Sequence, residues 1–248
     1  MGFTIAIAGK GGTGKTTVSA LIIRLLKERN AGSVLGIDAD PNNNLAELLG
    51  VKVKETISGV LDGVAAQPDK IPAGMTKDRF LEYQVQTIIQ EEEGFDLLTM
   101  GKPEGPGCYC YVNNVLRNTM DRLMKDYDFV VIDNEAGLEH LSRKTIAKAN
   151  ALLVISDSTA AGLRAAGRIS ELVDELKIKA ANKLLIINRQ DKEMGQKKIN
   201  HTGLEYIGRI PEDAQLTEIS IKNNSVFSLE KNAAPLAAMA ELLEKIIK

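Results

Sequence analysis

Short apolar runs alternate with longer amphipathic stretches along this chain. Residues 3–8, 33–37, 95–100, 129–132, 151–156, 183–187 and 203–210 are rich in Val, Ile, Leu and Phe. Their length and near-continuous apolarity predict strands buried on both faces, as in a parallel sheet. Between them, residues 18–28, 111–126, 159–177 and 235–248 read as helices. Val112, Val115, Leu116, Met120 and Leu123 in the second, and Leu236, Met239, Leu243 and Ile246 in the last, recur at helical spacing. Residues 45–49 read as a short helix stopped by Gly50, 56–61 as a helical turn, and 67–74 as a loop. Residues 78–93 read as a helix ending in the acidic run Glu91, Glu92 and Glu93. The pattern is weakest over 51–94, read as an insertion within one domain spanning 1–248. Strand–helix alternation predicts an α/β fold of three layers, α/β/α, with a mostly parallel central sheet and right-handed crossovers.

Between the first strand and the first helix stand Gly9, Lys10, Gly11, Gly12, Thr13, Gly14, Lys15, Thr16 and Thr17. Strand, glycine loop and helix is the context a phosphate-binding loop requires. Glycines let the backbone curl around phosphate oxygens, with N–H groups pointing inward and the helix N-terminus behind them. Lys15 then faces the β- and γ-phosphates of a nucleotide, and Thr16 offers its hydroxyl to Mg²⁺. The strand 33–37 runs into Asp38, Ala39, Asp40 and Pro41, and the strand 129–132 runs into Asp133. Carboxylates at the C-terminal ends of parallel strands, near a phosphate loop, are placed for Mg²⁺ and water chemistry. Asp133 is expected to hold Mg²⁺ through water, and Asp38 to stand near its shell. Gly137 in the following stretch supplies a backbone N–H for the γ-phosphate.

Composition narrows the partners. The 248 residues carry a net charge of −2, 44% hydrophobic and 26% charged residues. That balance gives no general drive toward nucleic acid or an anionic membrane. No apolar run approaches the ~18 residues of a membrane span, and no leader is apparent, so the expected location is the cytoplasm.

The loop after residue 100 places Cys108 and Cys110, the chain's two cysteines, one residue apart. A disulfide across one residue is strained, and thiolates favour Zn²⁺, Ni²⁺ or Cu⁺. Two sulfurs do not complete a tetrahedral site. With His140 and His201 the only histidines, a second copy of the chain is the natural source of the missing pair. A four-sulfur site between two subunits also suits an iron–sulfur cluster.

Lys10 beside Lys15 resembles the deviant Walker A motif, K-G-G-x-G-K-T-T. That motif marks the ATPase class of nitrogenase iron protein, septum-site and partition ATPases and metallochaperone ATPases. The resemblance implies that Lys10 reaches the partner's ATP in a homodimer, and that Asp40 orients the attacking water. It also implies that Asn188 reads adenine and that Pro211 lies in the turn covering the purine. Asp191 falls where GTPases read guanine. The run from Gly101 through Cys108, Tyr109 and Cys110 to Arg117 is similar to CooC-type nickel-insertion ATPases, with the deviant loop, D-x-D-P and A-G-x-E-H in the same order. This likeness implies ATP/ADP and Mg²⁺ as cofactors and Ni²⁺ at Cys108 and Cys110, with Zn²⁺ able to substitute. The implied client is carbon monoxide dehydrogenase or acetyl-CoA synthase. Glu135 replaces the small residue expected in that pattern, and Glu139 and His140 receive no role. The competing readings are an iron–sulfur electron-transfer ATPase and a metal-free positioning ATPase.

Overall fold

The computed structural model describes residues 2–66, 71–102, 110–136, 148–192, 195 and 199–248. Its strands are β1 (Phe3–Gly9), β2 (Val34–Asp38), β3 (Gln90–Glu92), β4 (Phe95–Thr99), β5 (Phe129–Asp133), β6 (Lys148–Ser156), β7 (Lys179–Asn188) and β8 (Glu205–Ile210). They form one eight-stranded sheet in the order β3-β4-β2-β5-β1-β6-β7-β8. Every pairing is parallel except that of β3 with β4. The expected architecture of helices on both faces of a mostly parallel sheet is what the chain adopts.

Strand alternation sends side chains to the two faces in turn. Ile5, Ile7, Leu97, Val131 and Leu153 enter one apolar layer with α1 (Lys15–Glu28), α2 (Asn44–Leu49), α7 (Ala214–Lys222) and α8 (Ala234–Ile246). Ala6, Ala8, Leu98, Val130 and Leu152 enter the other layer. There they meet α3 (Ile57–Ala66), α4 (Lys77–Thr87), α5 (Cys110–Leu123) and α6 (Ala160–Glu175). Helix α1 is apolar almost all round, because α2, α8 and a 3-10 turn, Val226–Ser228, cover its outer side. It carries Arg24 inward. Arg24 is 1% exposed and donates to the carbonyls of Val226 and Leu229 at 2.7 and 2.8 Å, and to Glu28 at 2.8 Å. A buried guanidinium is tolerated only when its donors are satisfied in this way.

Three elements differ from expectation. The helix expected over 78–93 is α4 alone, capped by the Thr76 hydroxyl, and is followed by edge strand β3. Gly94, at φ 80°, turns the chain so that Glu92 pairs with Phe95 and Glu91 with Asp96. Charged Glu91 and Glu92 suit an edge, where they discourage further pairing. The turn expected over 56–61 extends to the full α3, whose Ile57, Val60 and Val64 face the sheet. Helix α7 was not anticipated; Asp213 caps it by accepting from Leu216 N at 2.8 Å.

Candidate nucleotide site

The sequence places the glycine loop between central strand β1 and α1. Gly14 sits at φ 90°, and a Cβ there would lie 2.3 Å from Asn188 Nδ2, so only glycine fits. The loop closes on itself through Thr13, whose hydroxyl donates to the Lys10 carbonyl at 2.8 Å. Helix α1 has no side-chain cap and no acidic residue in its first turn. Its free N–H groups and positive dipole end therefore point at the space enclosed by the loop, an arrangement suited to phosphate.

Two lysines flank this space in different states. Lys15 is buried, with Nζ 3.5 Å from the Lys10 carbonyl. Burial pushes its pKa down, while Asp133, Asp40 and Glu135 act in the opposite direction. Lys10 is exposed, and its ammonium has no hydrogen-bond or ion-pair partner among the described residues.

Beneath the loop lies a polar row. Strand register aligns Thr99, Asp38 and Asp133 side by side on β4, β2 and β5. Both aspartates are fully buried. Asp38 accepts Leu45 N at 2.9 Å, Ala46 N at 3.3 Å and Asp40 N at 3.2 Å, which ties the start of α2 and the Asp40 turn to the end of β2. Burial, then the charge of Asp133, raises its pKa to about 7 against these backbone donors. Burial likewise raises Asp133 to about 6, while the Thr16 and Ser19 hydroxyls and Lys15 pull it down. Ser19 donates to Asp133 Oδ1 at 3.1 Å. Asp133 Oδ2 is buried with no hydrogen-bond partner among the described residues. A buried, unpartnered carboxylate oxygen beside a threonine hydroxyl fits Mg²⁺, a hard cation that takes oxygen ligands.

Asp40 is half-buried, and its Oδ1 accepts both the backbone and side-chain N–H of Asn42 at 2.9 Å. At the other end of the loop, Asn188 donates to the Thr13 carbonyl at 2.8 Å, and Arg189 reaches the Gly12 carbonyl at 3.4 Å. Thr17, Asn188, Arg189, Pro211 and Leu216 line a cavity of about 320 Å³ beyond them. Asp191 is exposed and accepts Glu212 N at 3.3 Å, which fixes the turn after β8. The structure thus gathers Lys15, Thr16, Asp38, Asp40 and Asp133 at one end of the loop, and Asn188 and Pro211 at the other. Cys108, Gly137, Glu139 and His140 lie outside the described residues, as does the side chain of Cys110; the backbone of Cys110 opens α5. Among the described residues no group of three or more His, Cys, Asp or Glu side chains is arranged to hold a metal by itself.

Three participants were not picked out by sequence. Ser19 stands one helical turn after Lys15, which puts it over β5, and that spacing was the available signal. Asn134 donates to the Ile7 carbonyl at 2.7 Å and stitches the end of β5 to β1. Arg189 follows Asn188 at φ 54°.

A family model for the AAA domain matches residues 3–187. The chain belongs to this family of P-loop ATPases. It is 42% identical over 248 residues to an uncharacterised ATP-binding protein of Methanocaldococcus jannaschii, covering 98% of both chains. It is 29% identical over 273 residues to the carbon monoxide dehydrogenase accessory protein CooC of Rhodospirillum rubrum, covering 98% of this chain and 97% of that one. Among solved structures, the septum site-determining protein MinD of Pyrococcus horikoshii, complexed with Mg-ADP, superposes with a TM-score of 0.73 at 21% identity. That superposition covers 100% of this chain and 97% of MinD, and it establishes the shared fold. As a P-loop ATPase the chain hydrolyses ATP, and nucleotide with Mg²⁺ fits its site. No helix among the described residues is long and apolar enough to cross a membrane.

Proposed function

We propose that this ATPase is a metallochaperone that loads nickel into carbon monoxide dehydrogenase or acetyl-CoA synthase. The observation that carries the reading is the likeness to the Rhodospirillum rubrum accessory protein, which runs along nearly the whole of both chains, taken with the Cys108 and Cys110 pair. Two copies close over two ATP molecules, and the exposed Lys10 of each contacts the other's nucleotide. Lys15 sits against the β- and γ-phosphates, and Asp40 leaves its turn with Asn42 to orient water. Thr16 and Asp133 would hold Mg²⁺, with Asp38 behind them, and the ion would supply neutralisation of charge developing on the phosphates. Asn188 and Pro211 receive the adenine. Closure brings four thiolates together around one Ni²⁺, with proton release on binding. Zn²⁺ binds thiolates comparably, so the choice of nickel rests on the likeness to the accessory protein and not on the sulfur ligands. Loss of the γ-phosphate loosens the dimer and frees the metal for the client.

The test is metal stoichiometry, nucleotide state and oligomer mass on one sample. One Ni²⁺ per ATP-bound dimer, absent from the Cys108→Ala/Cys110→Ala double variant, is expected. Equal nickel in that variant overturns the assignment. A brown, iron-rich protein identifies an iron–sulfur cluster instead. The likeness in fold to MinD favours a second reading, a metal-free positioning ATPase. Under it, dimerisation follows ATP and the cysteines hold no metal.

A further inference from the structure

The stretch that carries the cysteines leaves the sheet at Met100 and Gly101, directly after β4. That stem is held from two sides. Toward the nucleotide, Met100 N donates to the Asp38 carbonyl at 2.8 Å, and Ala39 N donates to the Asp133 carbonyl at 2.9 Å. The ends of β5, β2 and β4 are therefore laced by backbone bonds from the Mg²⁺ carboxylate to the stem. On the other side stands the first turn of α3. Ser58 N donates to the Met100 carbonyl at 2.9 Å, and the Ser58 hydroxyl donates to the Gly101 carbonyl at 3.2 Å. Ser58 is 7% exposed and Gly101 is buried. The fit is close: Gly101 has φ 70°, and a Cβ there would lie 2.5 Å from the Thr56 hydroxyl oxygen. Thr56 itself caps α3, accepting Gly59 N at 3.1 Å.

The far end of the connector rests on the same platform. Leu116, Met120 and Leu123 of α5 share an apolar cluster with Ile57, Val60 and Val64 of α3 and with Leu81 and Val85 of α4. Arg122 of α5 pairs with Glu82 of α4 at 2.9 Å. Residues 51–94, the segment whose pattern was hardest to read, thus support both the departure and the return of the connector.

We propose that Ser58 is a positioning residue that fixes where the cysteine-bearing connector leaves the sheet. The serine hydroxyl is not spent on capping the helix, which Thr56 already does; it serves the Gly101 carbonyl. The inference rests on the reading of Cys108 and Cys110 as metal ligands only for its metal readout, so a second readout without metal is paired with it.

The full-length chain is compared with Ser58→Ala and with Ser58→Thr, which keeps the hydroxyl. In the metal-free, ATP-bound protein, the alkylation rates of Cys108 and Cys110 are followed by mass spectrometry. Ni²⁺ affinity is titrated in parallel, with thermal melting and ATP affinity as controls. Ser58→Ala is expected to change the alkylation rates and to lower Ni²⁺ affinity. ATP affinity holds at the wild-type value, melting falls only by the few degrees that one lost buried hydrogen bond costs, and Ser58→Thr restores both thiol readouts. Alkylation rates unchanged in Ser58→Ala overturn the proposal. So does a change matched by a general loss of melting temperature and ATP affinity. If the wild-type chain binds no Ni²⁺ while its alkylation rates still respond to Ser58→Ala, the positioning role stands and the metallochaperone reading falls.

Discussion

The two ends of the phosphate loop are built from opposite materials. At the Lys15 end, ionisable groups are buried against one another: Asp38 and Asp133 are raised to about 7 and about 6, and Lys15 is pushed down. At the Asn188 end, amide and backbone groups are paired with one another, and Asp191 stays at the surface. The first end is electrostatically unfinished without a cation and a phosphate, because buried charge is costly unless paired. The second is complete as it stands. A bound phosphate therefore completes the Lys15 end, while the Asn188 end is paired beforehand.

Breaking the charged end has the largest consequence. Lys15→Ala should lower ATP turnover by about 10²–10³-fold, the scale of losing a fixed group that meets developing charge. Phosphate release in single turnovers measures it. Asp40→Ala should leave nucleotide bound and unhydrolysed. A Lys15→Ala variant that retains normal turnover would show that the charged end is scaffolding.

The next effect concerns stability. In unfolded chains aspartates titrate near about 4. The folded, metal-free protein binds protons on Asp133 and Asp38 up to about 6 and about 7. It therefore holds more protons than the unfolded chain between those limits, and ∂ΔG/∂pH is negative there. The contribution of these groups is complete below pH ~4 and is lost as pH rises through 6 and 7. Asp133→Asn should flatten that slope and stabilise the metal-free protein at pH 8 by about 1–3 kcal/mol. The stabilisation by Mg²⁺ and ATP should grow over the same window in the wild type. Thermal melts from pH 4 to 8, with and without Mg·ATP, read both; an unsloped wild-type curve would remove the contrast.

The neutral end gives smaller effects. Asn188→Ala leaves the Thr13 carbonyl without its donor and should weaken nucleotide binding by about 1–2 kcal/mol, with the pH slope intact. Titration of ADP by calorimetry checks it. Asp191→Asn is smaller still, within about 0.5 kcal/mol for ATP, because the residue is exposed and holds only the Glu212 turn. A large loss of ATP affinity there would mean that Asp191 reads the base.

Much of this was legible in the chain. The glycine loop, the Asp38 and Asp133 strand ends and the parallel sheet follow from local patterns, because fully buried strands and tight loops leave strong residue signatures. What escaped depended on distant partners. Edge strand β3 was absorbed into a helix because its pairing with β4 turns on Gly94, not on periodicity. Helix α7 is short and half exposed, so its apolar face is thin. That Ser58 meets Gly101 is a contact across 43 positions, invisible to any window along the chain.

Arg24 carries one more consequence. Its guanidinium sits inside the helix that begins at the phosphate loop, and the oxygens that quiet it come from the backbone at Val226 and Leu229. A polypeptide ending before those positions would keep every nucleotide-facing side chain named above and still strand a cation in the middle of its first helix. The helix behind the phosphate loop thus has its buried charge fully satisfied only once the last quarter of the sequence is in place.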